Sequence, residues 1–296
     1  MQRTFYYKIE EAYHGQTISS YLKGKGYPHA VMIHLKKTPE GILLNGQWEY
    51  VNTRLSSGDF LEIRLIEESS SQNIQPLYAP FSIVYEDADI LVVNKPANMP
   101  IHPSINHYEH TLANAVCYYY ENQGIPYTFR CANRLDKDTT GLTIIAKHML
   151  SSAILSQDVA NRAVPRKYLA IVKGETNNFG TIDAPIGRKD ASAILRVIDY
   201  THGEKAITHY EKIASKKGYT LLSLQLETGR THQIRVHMAS IGHPLIGDYL
   251  YHEASTELPR QALHSYCLEF YHPITKDLLH FTAPLPSDMQ NFWDSL

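Results

Sequence analysis

Residues 67–73 read Glu-Glu-Ser-Ser-Ser-Gln-Asn without one apolar side chain, and Pro76 follows closely. A run of that composition adds nothing to a hydrophobic core and behaves as a linker. It therefore forbids one continuous core along the 296 residues and divides them into a small and a large unit. The expected division is 1–66, a linker at 67–79, and 80–296.

The first unit carries helical spacing twice. Ile18, Tyr21 and Leu22 share a face of residues 17–25, and Val31, Ile33, His34 and Leu35 repeat the pattern over 30–37. Ile42, Leu43 and Leu44 then run into Asn45-Gly46, the strongest short-range hairpin signal, and Leu61 and Ile63 alternate with Phe60 and Glu62 through a strand at 59–64. A helix-helix-hairpin module is expected.

In the second unit, 83–96 reads as a hairpin turning at Glu86-Asp87-Ala88-Asp89, with Ile90, Leu91, Val92 and Val93 as a buried strand. Further strands are expected at 142–146, 168–172 and 220–227, and a helix at 149–159. Strand and helix do not alternate strictly, so a mixed α+β class is favoured over a doubly wound sheet.

No stretch approaches the roughly 18–20 uninterrupted apolar residues of a membrane span, and Met1-Gln2-Arg3-Thr4-Phe5-Tyr6 lacks the apolar core of a signal peptide. A cytoplasmic protein away from membranes is expected. Cys117, Cys131 and Cys267 form no C-x-x-C pair and read as isolated, reduced thiols. The net charge of -2 excludes a binder that holds nucleic acid by bulk charge, while leaving room for a basic groove.

Three segments carry chemistry. In Cys131 to Leu142, Asp136 and Asp138 lie between and beside Arg134 and Lys137, followed by Thr139, Thr140 and Gly141. This is either a reactive carboxylate flanked by cations or a solvated turn closed by an Asp or Thr side chain. In Leu226 to Met238, a strand ends at Thr228-Gly229, Thr231 is placed to cap a helix, and Ile234, Met238 and Ile241 mark its buried face. That puts Arg230 at a helix mouth, where an anion is readily held. His232 and His237 are five apart and do not stack as a metal pair would. The third segment, Arg166 to Gly174, is a strand with a basic entry and Tyr168 near its start; a tyrosine there stacks on a base, moves a proton or simply fills the core.

In this order the three segments resemble the RluA family of pseudouridine synthases, whose patterns run close to H-R-L-D-x-x-T-S-G-L, K-x-Y-x-A-x-V-x-G and T-G-R-T-H-Q-I-R-x-H-x-x-x-x-G-H-P-I-x-G-D. They stand here at 133–142, 167–174 and 228–248. Residues 92–103, Leu263-His264-Ser265 and Phe270-Tyr271-His272-Pro273 look like the same family, so the likeness spans roughly 80–283. Residues 15–65 are similar to the S4-type RNA-binding domain. Asn133 stands in place of a histidine, Thr140 of a serine and Asn98 of a glycine, the last tolerable because asparagine accepts left-handed backbone.

The resemblance implies a central mixed, largely antiparallel β-sheet flanked by helices, and isomerisation of uridine to pseudouridine in ribosomal or transfer RNA without cofactor or metal. By motif match Asp136 is the single catalytic aspartate, Arg230 pairs with it and aims it, and Tyr168 stacks on the target base or assists proton removal. Arg134, Thr139 and Thr140 are the candidates for holding the flipped-out nucleotide, and Lys95, Arg162, Arg166, Lys167, Arg188, Lys189 and Arg235 are candidates for phosphate contacts, each of these seven reading otherwise as a solvated surface cation. A monomer suffices for such a two-unit clamp. Two other readings are an RNA-binding protein of the same fold without catalysis, and a glycosidase built on Asp136 and Asp138.

Overall fold

The computed structural model describes residues 1–104, 108–190, 194–252 and 257–296. The amino-terminal part comprises β1 (Gln2–Lys8), α1 (Ile18–Gly24), α2 (His29–Lys37), β2 (Ile42–Leu44), β3 (Gln47–Trp48) and β4 (Phe60–Ile66). The strands form an antiparallel sheet ordered β1-β4-β2-β3, whose inner face brings Phe5, Leu61 and Ile63 onto Leu22, Val31 and Leu35 of the helices. Thr17 caps α1 by accepting a hydrogen bond from Ser20 N at 3.2 Å. Asn45 and Gly46 adopt φ values of 51° and 81°, the two left-handed residues that a tight hairpin requires. The strand β1 carries no strong sequence signal because only Phe5 in it is fully buried.

The polar stretch after β4 is a connection, yet it is not loose. Glu67 pairs with Arg130 and accepts from Met149 N, Ser71 N donates to Tyr127 O at 3.1 Å, and Ser71 Oγ accepts from Phe129 N at 2.9 Å. Ile74, just past that run, packs on the main core. Serines that read as solvent-facing in sequence instead supply partners to a neighbouring backbone that has no strand beside it.

The remainder contains β5 (Ser82–Glu86), β6 (Ile90–Lys95), α3 (Leu112–Glu121), β7 (Thr140–Ala146), α4 (Met149–Ala160), β8 (Arg166–Lys173), β9 (Phe179–Asp183), β10 (Ile186–Arg188), β11 (Arg196–Ile198), β12 (Ile207–Lys216), β13 (Tyr219–Leu226), α5 (Gln233–Ser240), β14 (Leu263–Tyr271), β15 (Leu278–Thr282) and α6 (Ser287–Ser295). Nine strands form one sheet in the order β5-β6-β7-β14-β8-β13-β12-β9, with β15 on β14, while β10 and β11 pair separately. All pairings are antiparallel except β7 with β14, so the sheet is mixed and largely antiparallel, as expected.

Both faces of this sheet are covered, which explains the unbroken apolar run in β6. Leu91 and Val93 face α3 and α5, whereas Ile90 and Val92 face Leu155 of α4 on the other side. Leu150 and Ile154 of the same α4 enter the amino-terminal core, so one helix is shared by two hydrophobic clusters. Arg3 of β1 also binds Asp89 in the β5–β6 turn, Nε to Oδ1 at 2.7 Å. The amino-terminal part is thus docked by apolar and ionic contacts together. Among the described residues, no helix is long and apolar enough to cross a membrane.

Candidate active site

The loop before β7 is fastened from beneath. Asn133 Oδ1 accepts from Ile144 N at 2.8 Å, so the residue replacing histidine is buried and tied to β7. Lys95 is wholly buried and donates to Pro96 O, Met99 O and Lys137 O at 2.8–2.9 Å. Burial pulls its pKa down to about 7 while the nearby Asp138 and Asp136 charges oppose that. Three carbonyl acceptors match the three donors of an ammonium group. Lys95 therefore holds the loop from inside, and its expected role as a phosphate contact is corrected. Asn98, at φ 56°, donates its backbone N–H to Asp138 Oδ1 at 3.1 Å.

The loop leaves through Gly141, at φ +112° in β7, where a Cβ would lie 2.2 Å from Ser265 O. That contact fixes where Asp136 stands relative to β14. Asp138 faces Asn98, away from the cavity, whereas Asp136 lines it. The two carboxylates expected of a glycosidase pair do not face one space.

The opposite wall is α5 and the turn before it. Gln233 is buried: its Oε1 accepts from Thr228 Oγ1 and Arg230 N at 2.8 and 2.9 Å, and its Nε2 donates to Ile207 O and Thr208 Oγ1 at 2.9 and 3.0 Å. His237 reaches Thr208 Oγ1 and Ala184 O, each at 2.9 Å, so the helix is seated on both sides of β12. His232 occupies the cap position with left-handed backbone, φ 56° and ψ 18°, in place of the expected Thr231. Ile241 lies past the helix end and is exposed, so the expected single apolar face is replaced by a helix buried nearly all round.

This seating brings Arg235 to Asp136. Its Nη1 donates to Asp136 Oδ2 at 3.1 Å, while Nε and Nη2 grip both oxygens of Asp248 at 2.8 and 2.7 Å. Arg235 is 2% exposed and Asp248 0%. Burial works against the guanidinium charge, and Asp248, then Asp136, more than offset it, holding the pKa above the ordinary arginine value. Arg230 points elsewhere, pairing with Glu204 and donating from Nε to Lys205 O at 3.1 Å. The expected Arg230–Asp136 pair is thus corrected to Arg235–Asp136, because the left-handed turn at His232 directs Arg230 outward. Arg235, buried and bonded to carboxylates through Nε, Nη1 and Nη2, is corrected from a phosphate contact to the partner of Asp136.

Asp136 and Arg235 line a cavity of about 690 Å³ with Tyr168 in its wall and Arg134, Arg162 and Arg230 around it. Tyr168 is 5% exposed, and burial ahead of all other causes pushes its pKa above the usual phenol value. Thr139 lines the cavity, but Thr140 does not; its hydroxyl is bound to His264 Nδ1 at 2.8 Å inside the fold, which corrects its expected nucleotide contact. Arg166 is buried beside Gly229 and lines the inner wall. Lys167, Arg188 and Lys189 are exposed outside the lining.

Sequence reasoning missed Asp248, Gln233 and the link of His232 Nδ1 to Tyr251 Oη at 2.9 Å. The Gly-Asp at the end of the third motif was the available signal for Asp248. Among the described residues, Asp87, Asp89 and His272 bring ligand atoms together away from the cavity, but Asp89 is engaged by Arg3 and His148.

The family described as RNA pseudouridylate synthase matches residues 89–240. The uncharacterized RNA pseudouridine synthase YjbO of Bacillus subtilis is 40% identical over 274 residues, 92% of this chain and 96% of that protein. The ribosomal large subunit pseudouridine synthase D of Pasteurella multocida is 37% identical over 287 residues, 91% and 88% of the two chains. Among solved structures, human RNA pseudouridylate synthase domain containing 1 aligns with a TM-score of 0.56 at 26% identity, covering 69% of this chain and 83% of that one.

Proposed function

The chain belongs to the RNA pseudouridylate synthase family, isomerases that act on RNA, and from that premise we propose that it isomerises uridines of ribosomal large-subunit RNA with Asp136 as its single catalytic carboxylate. One observation carries the residue assignment: Asp136 meets the cavity with its Oδ2 held by Arg235, itself locked on Asp248. The choice of RNA rests on the relatives named for the ribosomal large subunit.

Isomerisation breaks the bond from N1 of uracil to C1′ of the ribose, turns the base, joins C5 to C1′ and releases the C5 proton. It consumes no redox equivalent and no phosphate energy, so the chemistry needs a carboxylate beside the anomeric carbon and a dry wall for the turning base. A cavity of about 690 Å³ is within the range that encloses a nucleotide-sized ligand. Tyr168, whose pKa burial raises, stays a neutral phenol at pH 7, which suits stacking and hydrogen-bond donation better than proton abstraction. Flipping the uridine into the cavity costs a few kcal/mol of stacking, least in loops and bulges. Arg134, Arg162 and Arg230 supply positive charge where the strand would pass. Residues 1–66 would act as an S4-like RNA-binding unit, held against the larger unit through α4, in a protein that works as a cytoplasmic monomer.

Incubation of the purified protein with ribosomal and transfer RNA from cells lacking it, followed by mapping of new pseudouridines by primer extension after carbodiimide treatment, tests this reading. New sites in large-subunit RNA are expected. New sites in transfer RNA alone would refute the choice of substrate.

A further inference from the structure

His232 is a costly residue in its position. A non-glycine residue with φ 56° is held against a backbone preference, and its imidazole is nearly buried beside Asp136. Its hydrogen bonds favour one placement of the ring proton. Arg196 N–H donates to Tyr251 Oη at 2.9 Å, so the tyrosine's own proton is free to go to His232 Nδ1, 2.9 Å away. A neutral ring that accepts at Nδ1 carries its hydrogen on Nε2. That Nε2 lies 4.0 Å from Asp136 Oδ2, the same oxygen that Arg235 grips. The separation is too long for a direct hydrogen bond, but an oxygen set ~2.8 Å from each atom fits between them.

Resting on the assignment of Asp136 made above, we propose that His232 is a positioning residue that donates from Nε2 to a hydroxyl oxygen of the target nucleotide, whose own proton goes to the Asp136 carboxylate. Tyr251 fixes the tautomer, and the left-handed turn aims the ring. Burial, ahead of the opposing charge of Asp136, lowers the imidazole pKa and keeps the ring neutral at pH 7. The ring also stands edge-on to Tyr251 at 5.8 Å between centroids, and the guanidinium of Arg235 lies 5.2 Å from the same tyrosine ring. The arrangement therefore ties the two groups that flank Asp136 to one aromatic support.

Two substitutions separate this role from a structural one. Asparagine tolerates left-handed backbone better than glutamine, so a purely structural His232 makes His232→Asn the more active variant. Glutamine places an amide N–H near the position of Nε2, which asparagine cannot reach, so a donor role makes His232→Gln the more active one. The expected result is a single-turnover rate for H232Q about tenfold above that of H232N, with RNA affinity equal and with H232N the more heat-stable. Tyr251→Phe keeps the ring but loses the hydroxyl, and should lower the rate several-fold at unchanged affinity. H232N matching or exceeding H232Q in rate, with wild type active, overturns this inference alone. Wild type inactive on every RNA offered, or undiminished by Asp136→Asn, overturns the assignment of Asp136 and this inference with it.

Discussion

Replacing Arg235 by methionine removes one side chain and strands another. Asp248 is 0% exposed and takes two hydrogen bonds from Arg235, so Arg235→Met strips it of its cation and leaves it, among the described residues, the backbone N–H groups of Leu250 and Tyr251. Removing one partner of a buried ion pair costs about 3–5 kcal/mol. For domains of about 150–250 residues each kcal/mol shifts Tm by roughly 2–4 °C, so a fall of ~6–20 °C is expected. The double variant Arg235→Met, Asp248→Leu removes both charges and should recover most of that loss, since well-packed apolar replacements of buried pairs are often neutral. Activity should not return, because Asp136 still lacks its partner. Arg230→Met, which breaks an exposed pair with Glu204, should cost at most about 1 kcal/mol. Thermal and urea unfolding followed by circular dichroism measure all three. The reasoning fails if Arg230→Met destabilises as much as Arg235→Met, or if the double variant isomerises RNA at the wild-type rate.

Other expectations concern the scaffold. Gly141→Ala puts a Cβ 2.2 Å from Ser265 O at a positive φ, so β7 and β14 must separate; a loss of several kcal/mol or failure to fold is expected, read from soluble yield and Tm. His264 is buried, and burial pulls its pKa down to about 4, so the unfolded chain binds a proton that the fold refuses between pH 6.5 and 4. Stability should therefore fall as pH drops through that window, by ~3 kcal/mol from this residue, with His102, His232 and His237 adding in the same direction. Urea midpoints that stay flat from pH 7 to 4.5 would contradict this. At lower pH, Asp89 has its pKa raised by burial but lowered further by His148 and Arg3 to about 2, so its contribution persists to acid pH and vanishes as pH falls from 3.8 toward 2. Arg3→Ala should shift that acid limb upward, as measured by acid titration of the far-ultraviolet signal.

Much of the fold is legible because its core strands repeat simple patterns. The run Ile90 to Val93, the Asn45-Gly46 turn and the helix starting at Met149 all follow from periodicity and turn chemistry alone. The strand β1 is hidden because it lies at a sheet edge with a single fully buried side chain. In the site, Asp136 is singled out by its match to the family's motif, since a carboxylate among cations before an apolar strand reads equally as a solvated turn. Which arginine meets it is not legible, since the answer depends on one left-handed residue, His232, which no spacing rule foretells. Lys95 and Arg235 read as surface cations because lysine and arginine are seldom buried; the carbonyls and carboxylates that hold them come from distant segments.

The most direct test of Asp136 as the reacting carboxylate is release of tritium from RNA labelled at C5 of uridine, with wild type, Asp136→Asn and Asp138→Asn compared side by side. Isomerisation must expel that hydrogen. Release by wild type and Asp138→Asn, with none from Asp136→Asn, is the expected result. Release that survives Asp136→Asn, or that vanishes only in Asp138→Asn, would contradict it.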